Sequence, residues 1–236
     1  MDMNEQSCET IDTDTSVQTE KARATFYASL GEVCPFVLTP INHPCFLGDG
    51  SVWPGEKPAW TIINRPHSVI IATDGMSDTY WDDGTPLGFG VEICAEMPGN
   101  LNIEEAMSSC LFRLVKAVSD DIAYEPANLN LFKHYSCLSL ESPAPCMPEV
   151  YHTTDEGHVG VILGYSSPSI PAVFSTPYGD VRMLAIAPLY AKETLALRAA
   201  GQDAGVLRDQ FVATLKKHEQ EDFCLIDRPL MIPDVI

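Results

Sequence analysis

The chain predicts one α/β or α+β domain, and three observations carry that expectation. An apolar run, Val69-Ile70-Ile71-Ala72, stops at the turn signal Asp74-Gly75 and reads as a buried strand. Ile103, Met107, Cys110, Leu111, Leu114, Val115 and Val118 recur at helical spacing. A second strongly apolar strand, Val181 to Ala187, is followed by two helix-like segments. Strands and helices are thus interspersed along one chain, with no internal repeat to divide it.

In chain order, Met1 to Glu20 is Thr/Ser-rich and carries six acidic residues and no basic one, which predicts a mobile acidic tail (residues 1–20) ahead of a single domain (residues 21–236). Lys21 to Leu30 has good helix formers, with Ala22, Phe26 and Leu30 every fourth residue and Gly31 as a stop. Cys34 to Lys57 is rich in Pro and Gly and reads as an irregular connection. Trp60 to Ile63 and His67 to Thr73 are strand-like around the turn Asn64-Arg65-Pro66, and Gly88 to Met97 is the next strand. Asn102 is the expected N-cap of the best helix, with Glu104 and Glu105 favouring the positive end of its dipole. Leu129 to Leu140 and Val159 to Tyr165 read as strands, separated by proline-rich breaks at Ser142 to Pro148 and Ser166 to Pro171. Pro188 suits the first turn of a helix ended by Gly201. A last helix spans Asp203 to about Glu219, and Phe223 to Ile226 is an expected terminal strand.

A chain of 236 residues can bury a sizeable core. Its 14 basic against 33 acidic residues give a net charge of −19. Binding to nucleic acid needs Lys and Arg to displace counterions from phosphates, and no basic cluster exists beyond Lys216-Lys217, so neither nucleic acid nor an anionic membrane is an expected partner. The charge suits solubility, or steering toward a basic protein. No apolar run approaches a membrane span, and the N-terminus lacks a secretory pattern, so a cytoplasmic location is expected. The eight cysteines include no CxxC and are expected as reduced thiols, Cys94 and Cys110 as small buried hydrophobes.

Motifs for catalysis are sparse. GxSxG, the P-loop, GxGxxG and HExxH are all missing. Asp74, Asp78 and Asp82 are spaced too widely for an EF-hand loop. His152, Asp155, Glu156 and His158 form the one His/carboxylate cluster, a weak candidate for zinc or ferrous ion. Thr153 to Gly157, however, reads as a hairpin turn that needs no ligand, and Cys34, His43 and Cys45 are a looser set still. Ser77 sits on a turn after a strand but has no assigned base, so it reads as a hydrogen-bonding turn serine. No cofactor or metal is expected, and no catalytic residue is assigned. Among aromatics that could anchor a partner, Trp60 reads as core and Trp53 is unassigned. Tyr80-Trp81, followed by Asp82-Asp83, is the favoured protein-binding tip.

The run Ala72-Thr73-Asp74-Gly75-Met76-Ser77-Asp78, followed by Gly90-Val91-Glu92-Ile93, resembles the suppressor of fused family, in which a strand ends in a similar Gly-Met-Ser-Asp turn and a Gly-x-Glu-like strand follows. Leu184 to Thr194, the helix from Gly201 to His218 and Leu225-Ile226-Asp227-Arg228-Pro229 resemble later segments, the last with compressed spacing, so the likeness covers about residues 25 to 230. The resemblance implies a mixed β-sheet flanked by helices and a protein-binding role without catalysis. This chain matches only the first of the two domains that clamp a peptide in eukaryotic members. Bacterial single-domain members, thought to include immunity proteins against toxins, are nearer in size. The expectation is therefore a non-enzymatic binding protein, an antitoxin for a basic toxin, with a metal-dependent hydrolase or a peptide-binding adaptor as alternatives. The turn Asp74 to Asp78 is expected to be structural.

Overall fold

A computed structural model of the chain describes residues 5–40, 53–54, 58–79, 87–217, 228 and 230–231, with side chains from residue 15 onward. Its centre is a mixed eight-stranded sheet with helices on both faces, the expected α+β class. The strands are β1 (Glu32–Val33), β2 (Trp60–Asn64), β3 (Ser68–Thr73), β4 (Val91–Pro98), β5 (Leu138–Pro143), β6 (His158–Tyr165), β7 (Val173–Thr176) and β8 (Gly179–Leu189). They lie in the order β1-β2-β3-β4-β8-β6-β5, and β7 also pairs with β8. All pairings are antiparallel except β4 with β8, which meet in parallel at the centre.

Alternation along the strands divides the core in two. Trp60, Ile62, Val69, Ile71, Val91, Ile93, Val161, Leu184 and Ile186 face one side. There α2 (Ile103–Ser108) and α3 (Cys110–Tyr124) bury Ala106, Leu111, Leu114, Val115, Val118 and Ile122 against them. Ile63, Ile70, Ala72, Cys94, Ile162, Met183, Ala185 and Leu189 face the other. That side is covered by Tyr27 of α1 (Glu5–Leu30), Leu197 of α4 (Ala191–Ala200), and Phe211 and Leu215 of α5 (Ala204–Lys217).

Several expectations change. The helix foreseen from Lys21 begins at Glu5, inside the segment read as a tail. Its buried stripe is Thr15, Thr19, Arg23 and Tyr27, and three of these four are polar, so an apolar-periodicity reading misses it. Asn102 caps α2 as foreseen, and Glu105 completes a capping box with it. The single helix expected there is broken at Ser109, whose extended backbone (ψ 146°) ends α2 while its hydroxyl accepts from Phe112 N at 3.1 Å to start α3. The strand expected over Leu129 to Leu140 starts only at Leu138, and its first part belongs to a 3-10 helix, Pro126–Lys133. Pro126 fits its first turn, and one-turn bonds such as His134 N to Leu131 O at 2.9 Å replace ladder bonds.

Pro188 belongs to β8, opposite Val161, and α4 starts only at Ala191. There the Glu193 carboxylate accepts from Tyr190 N at 2.9 Å. Gly201 caps α4 with φ +54°, as its position suggested. Cys94 is fully buried and its thiol is pushed up to about 12, first by burial and then by Glu96. Cys110, by contrast, is half-buried and donates to Cys146 O at 2.7 Å. The expected strand Phe223 to Ile226 lies outside the described residues.

Candidate functional site

The segment Asp74 to Asp78 closes β3 and leads toward β4, and its geometry follows from what surrounds one carboxylate. Glu92 projects from β4 onto the face shared with Cys94 and Glu96 and is fully buried. A buried carboxylate demands donors. Thr73 Oγ1 donates to its Oε2, while Ser77 Oγ at 2.6 Å, Ser77 N at 3.0 Å and Gly75 N at 3.3 Å donate to its Oε1. Two backbone amides can converge on one oxygen only if the chain curls tightly. Gly75 permits this at φ +142°, where its missing Cβ would lie 3.1 Å from Asp78 Oδ2. Met76 is fully buried in the helix-α3 side of the core, which pins the turn from beneath.

Arg23 of α1 completes the cluster. Its Nε donates to Asp74 Oδ1 at 2.6 Å, and its Nη1 donates to Asp78 Oδ1 at 2.6 Å and to Ser77 Oγ at 3.1 Å. Nη1 also lies 3.5 Å from Glu92 Oε1. One guanidinium therefore faces three carboxylates. Burial opposes its charge, but Glu92, Asp78 and Asp74 outweigh that and hold it more firmly protonated than usual. Burial pushes the Glu92 carboxyl up to about 7 against the pull of Arg23 and the hydroxyls of Ser77 and Thr73. Tyr27, one turn on along α1, donates to Thr73 O at 2.6 Å, and burial, then Glu92, raises its phenol well above the ordinary value.

Two smaller clusters repeat the arrangement. Glu96 accepts from Arg65 Nη1 at 3.0 Å, from Ser68 Oγ and from Ser169 Oγ at 2.6 Å. Glu193, fully buried, accepts from Arg228 Nη1 at 2.9 Å and from Met231 N at 2.6 Å. Each ties a distant part of the chain to the sheet or to α4. None was foreseen, because a lone Arg or Glu in a sequence gives no sign of its partner. The one available hint was the four-residue spacing of Thr15, Thr19, Arg23 and Tyr27.

Asp74, Gly75, Met76, Ser77 and Asp78 are thus brought together around Glu92. Ser77 has no solvent exposure, and its hydroxyl is engaged by Glu92 and Arg23 with no histidine among its bonded partners. The arrangement can hold a turn rigidly; it offers no accessible nucleophile. Tyr80, Trp81, Asp82 and Asp83, the expected tip, lie outside the described residues, immediately beyond this turn. Trp60 is core, its indole donating to Ser119 Oγ at 3.2 Å, and Trp53 packs edge-on against it with centroids 5.3 Å apart. Trp53 is only 3% exposed, so it is not a partner anchor.

At the other candidate, the turn reading holds. Thr153 N bonds to His158 O at 2.8 Å and Gly157 N to Thr154 O at 3.1 Å. His158 Nδ1 lies 3.0 Å from Thr154 Oγ1, while Asp155 and Glu156 are exposed. His152, Asp155, Glu156 and His158 do not converge, and no group of three or more His, Cys, Asp or Glu suited to a metal occurs among the described residues. Of Cys34, His43 and Cys45, only Cys34 is described.

Sequence reasoning also missed two grooves beside β5, the last strand in the sheet order. One is lined by Leu140, Glu141, Leu189, Leu197 and Arg198, the last bonding Glu141 through Nε at 2.6 Å. The other, about 460 Å³, is lined by Leu131, Tyr135, Leu138, Gly205 and Arg208.

No family model matches the chain, and no curated protein is significantly similar to it. Among the described residues, no helix is long and apolar enough to cross a membrane.

Proposed function

We propose that this chain is a non-enzymatic binding protein of the suppressor-of-fused-like type, acting in the cytoplasm on a basic protein partner such as a toxin. The observation that carries the reading is the internal use of its few cations. Arg23, Arg65 and Arg228 are spent on buried or half-buried carboxylates, Lys116 on Asp120 one turn along α3, and Arg198 of α4 on Glu141 of β5. A surface already poor in positive charge, in a chain of net charge −19, is left more uniformly acidic. Such a field speeds encounter with a basic partner and discourages nucleic acid. The internally satisfied state of Ser77 and Glu92 supports a binding role over a hydrolytic one. A rigid turn is also a suitable base for a recognition tip at Tyr80 to Asp83.

The test is an equilibrium titration against the products of the adjacent reading frames. Binding is expected for the wild type and expected to fall at least tenfold when Tyr80, Trp81, Asp82 and Asp83 all become Ala. Undiminished binding by that variant would remove the tip from the proposal.

A second reading, a peptide-binding adaptor, is favoured by one observation. Among the described residues β5 pairs only with β6, so its outer edge is available for strand addition, with a groove on either side. Slowed amide exchange at Leu138 to Ser142 on binding would mark this mode, and unchanged exchange there would exclude it.

A further inference from the structure

The groove between the 3-10 helix Pro126–Lys133, strand β5 and the start of α5 holds a buried cation without a counter-charge. Arg208 is 8% exposed, and among the described residues no carboxylate lies within ion-pair distance of it. Its Nε is buried and has no hydrogen-bond partner. The contacts it does make are weak ones. Its guanidinium carbon sits 5.1 Å from the Tyr135 ring centroid, and it touches the Cys137 thiol. Arg65 and Arg228, by comparison, each hold a glutamate in hydrogen bonds. A guanidinium stays charged at any ordinary pH, and burying it unpaired is costly. In a chain with more than twice as many acids as bases, leaving this one unpaired is notable.

The surroundings describe what could pair with it. The guanidinium lies over the Tyr135 ring, and its N–H groups suit a planar acceptor. Gly205 keeps the floor low: a Cβ there would meet Tyr135 Cε1 at 3.7 Å and Arg208 Nη2 at 3.8 Å. Leu131, Leu138 and Ile122 supply an apolar wall, and about 460 Å³ is room for a small organic molecule. One cation beside an apolar wall suits a monoanion with a hydrophobic body. A dianion would meet a single guanidinium within a strongly negative protein.

We propose that this groove is a binding site for a small hydrophobic carboxylate, its carboxylate held by Arg208 and its body against Leu131 and Leu138. The site is independent of the tip at Tyr80 to Asp83. Ligand-observed NMR titration of the full chain with benzoate tests it, with benzamide as the neutral match and phenyl phosphate as the dianion. Benzoate is expected to bind at least tenfold more tightly than either. Arg208→Met is expected to lose at least tenfold in benzoate affinity, Arg208→Lys to lose less, and Gly205→Leu to abolish binding by filling the floor. Arg208→Met is also expected to unfold at no lower temperature than the wild type, because it removes an unpaired charge while keeping the packing. Equal binding of benzamide, tighter binding of phenyl phosphate, no benzoate binding, unchanged affinity in Arg208→Met, or severe destabilisation by that substitution would each overturn the proposal.

Discussion

Glu92 and Arg23 are coupled through Ser77, which both engage, and their charges lie 3.5 Å apart. Removing the guanidinium by Arg23→Met leaves Asp74, Asp78 and Glu92 facing one another without a cation. The expected loss is about 3–5 kcal/mol by urea denaturation. It should shrink when Glu92→Gln is added, because the most deeply buried negative charge is then gone. A loss under about 1 kcal/mol would mean the cluster contributes little. Glu92 also imposes a pH dependence. Its folded value of about 7 lies above its ordinary 4.5. Between those values the folded chain holds a proton that the unfolded chain has released. The stabilisation linked to that proton is complete below about pH 4.5 and is lost as pH rises through 7. The contribution is on the order of 3 kcal/mol across the window. The difference in stability between wild type and Glu92→Gln, measured at pH 5 and pH 7.5, should narrow or reverse accordingly. A difference that does not change with pH would contradict the assignment.

Among the elements, those with apolar periodicity were legible from residues alone and those held by polar contacts were not. Strands β3, β4, β6 and β8 and helix α5 carry buried apolar faces and were located within a few residues, whereas α2 and α3 were read as one helix. Helix α1 was cut short because Thr15, Thr19 and Arg23 form its buried stripe. The alternating Leu129 and Leu131 imitated a strand where Pro126 starts a 3-10 helix. At the candidate site, the turn Asp74 to Asp78 was legible from Gly75 and its polar neighbours. Arg23 and Glu92 were not, since they come from elements 51 and 15 residues away from their bonded partners Asp74 and Ser77.

Element packing gives its own prediction. Strand β6 and helix α4 meet at Gly160, where a Cβ would fall 2.0 Å from Thr194 Oγ1 and 2.7 Å from its Cγ2. Gly160→Ala is expected to cost about 1–3 kcal/mol by forcing α4 off the sheet. Adding Thr194→Ala should restore part of that, because Oγ1 and Cγ2 are removed while Cβ, at 2.9 Å, remains. Additive losses in the double variant would show that the contact is not the cause.

For the whole molecule, charge is the dominant property: −19 on a sheet-centred α+β fold whose internal ion pairs consume cations it has in short supply. Glu96 and Glu193 tie the segment around Ser169 and the chain near Arg228 to the framework, and Glu92 fixes the turn whose Asp74, Ser77 and Asp78 bind Arg23 of α1. If the proposed binding role holds, recognition falls to the surface, where long-range attraction would govern the encounter with a basic partner.

The most direct test is the association rate of the wild-type chain with the protein encoded beside it, followed from about 0.05 M to about 0.5 M ionic strength. The account expects the rate to fall roughly tenfold or more over that range while dissociation changes little. A rate independent of salt, or no association at all, would contradict an acidic protein built to capture a basic partner.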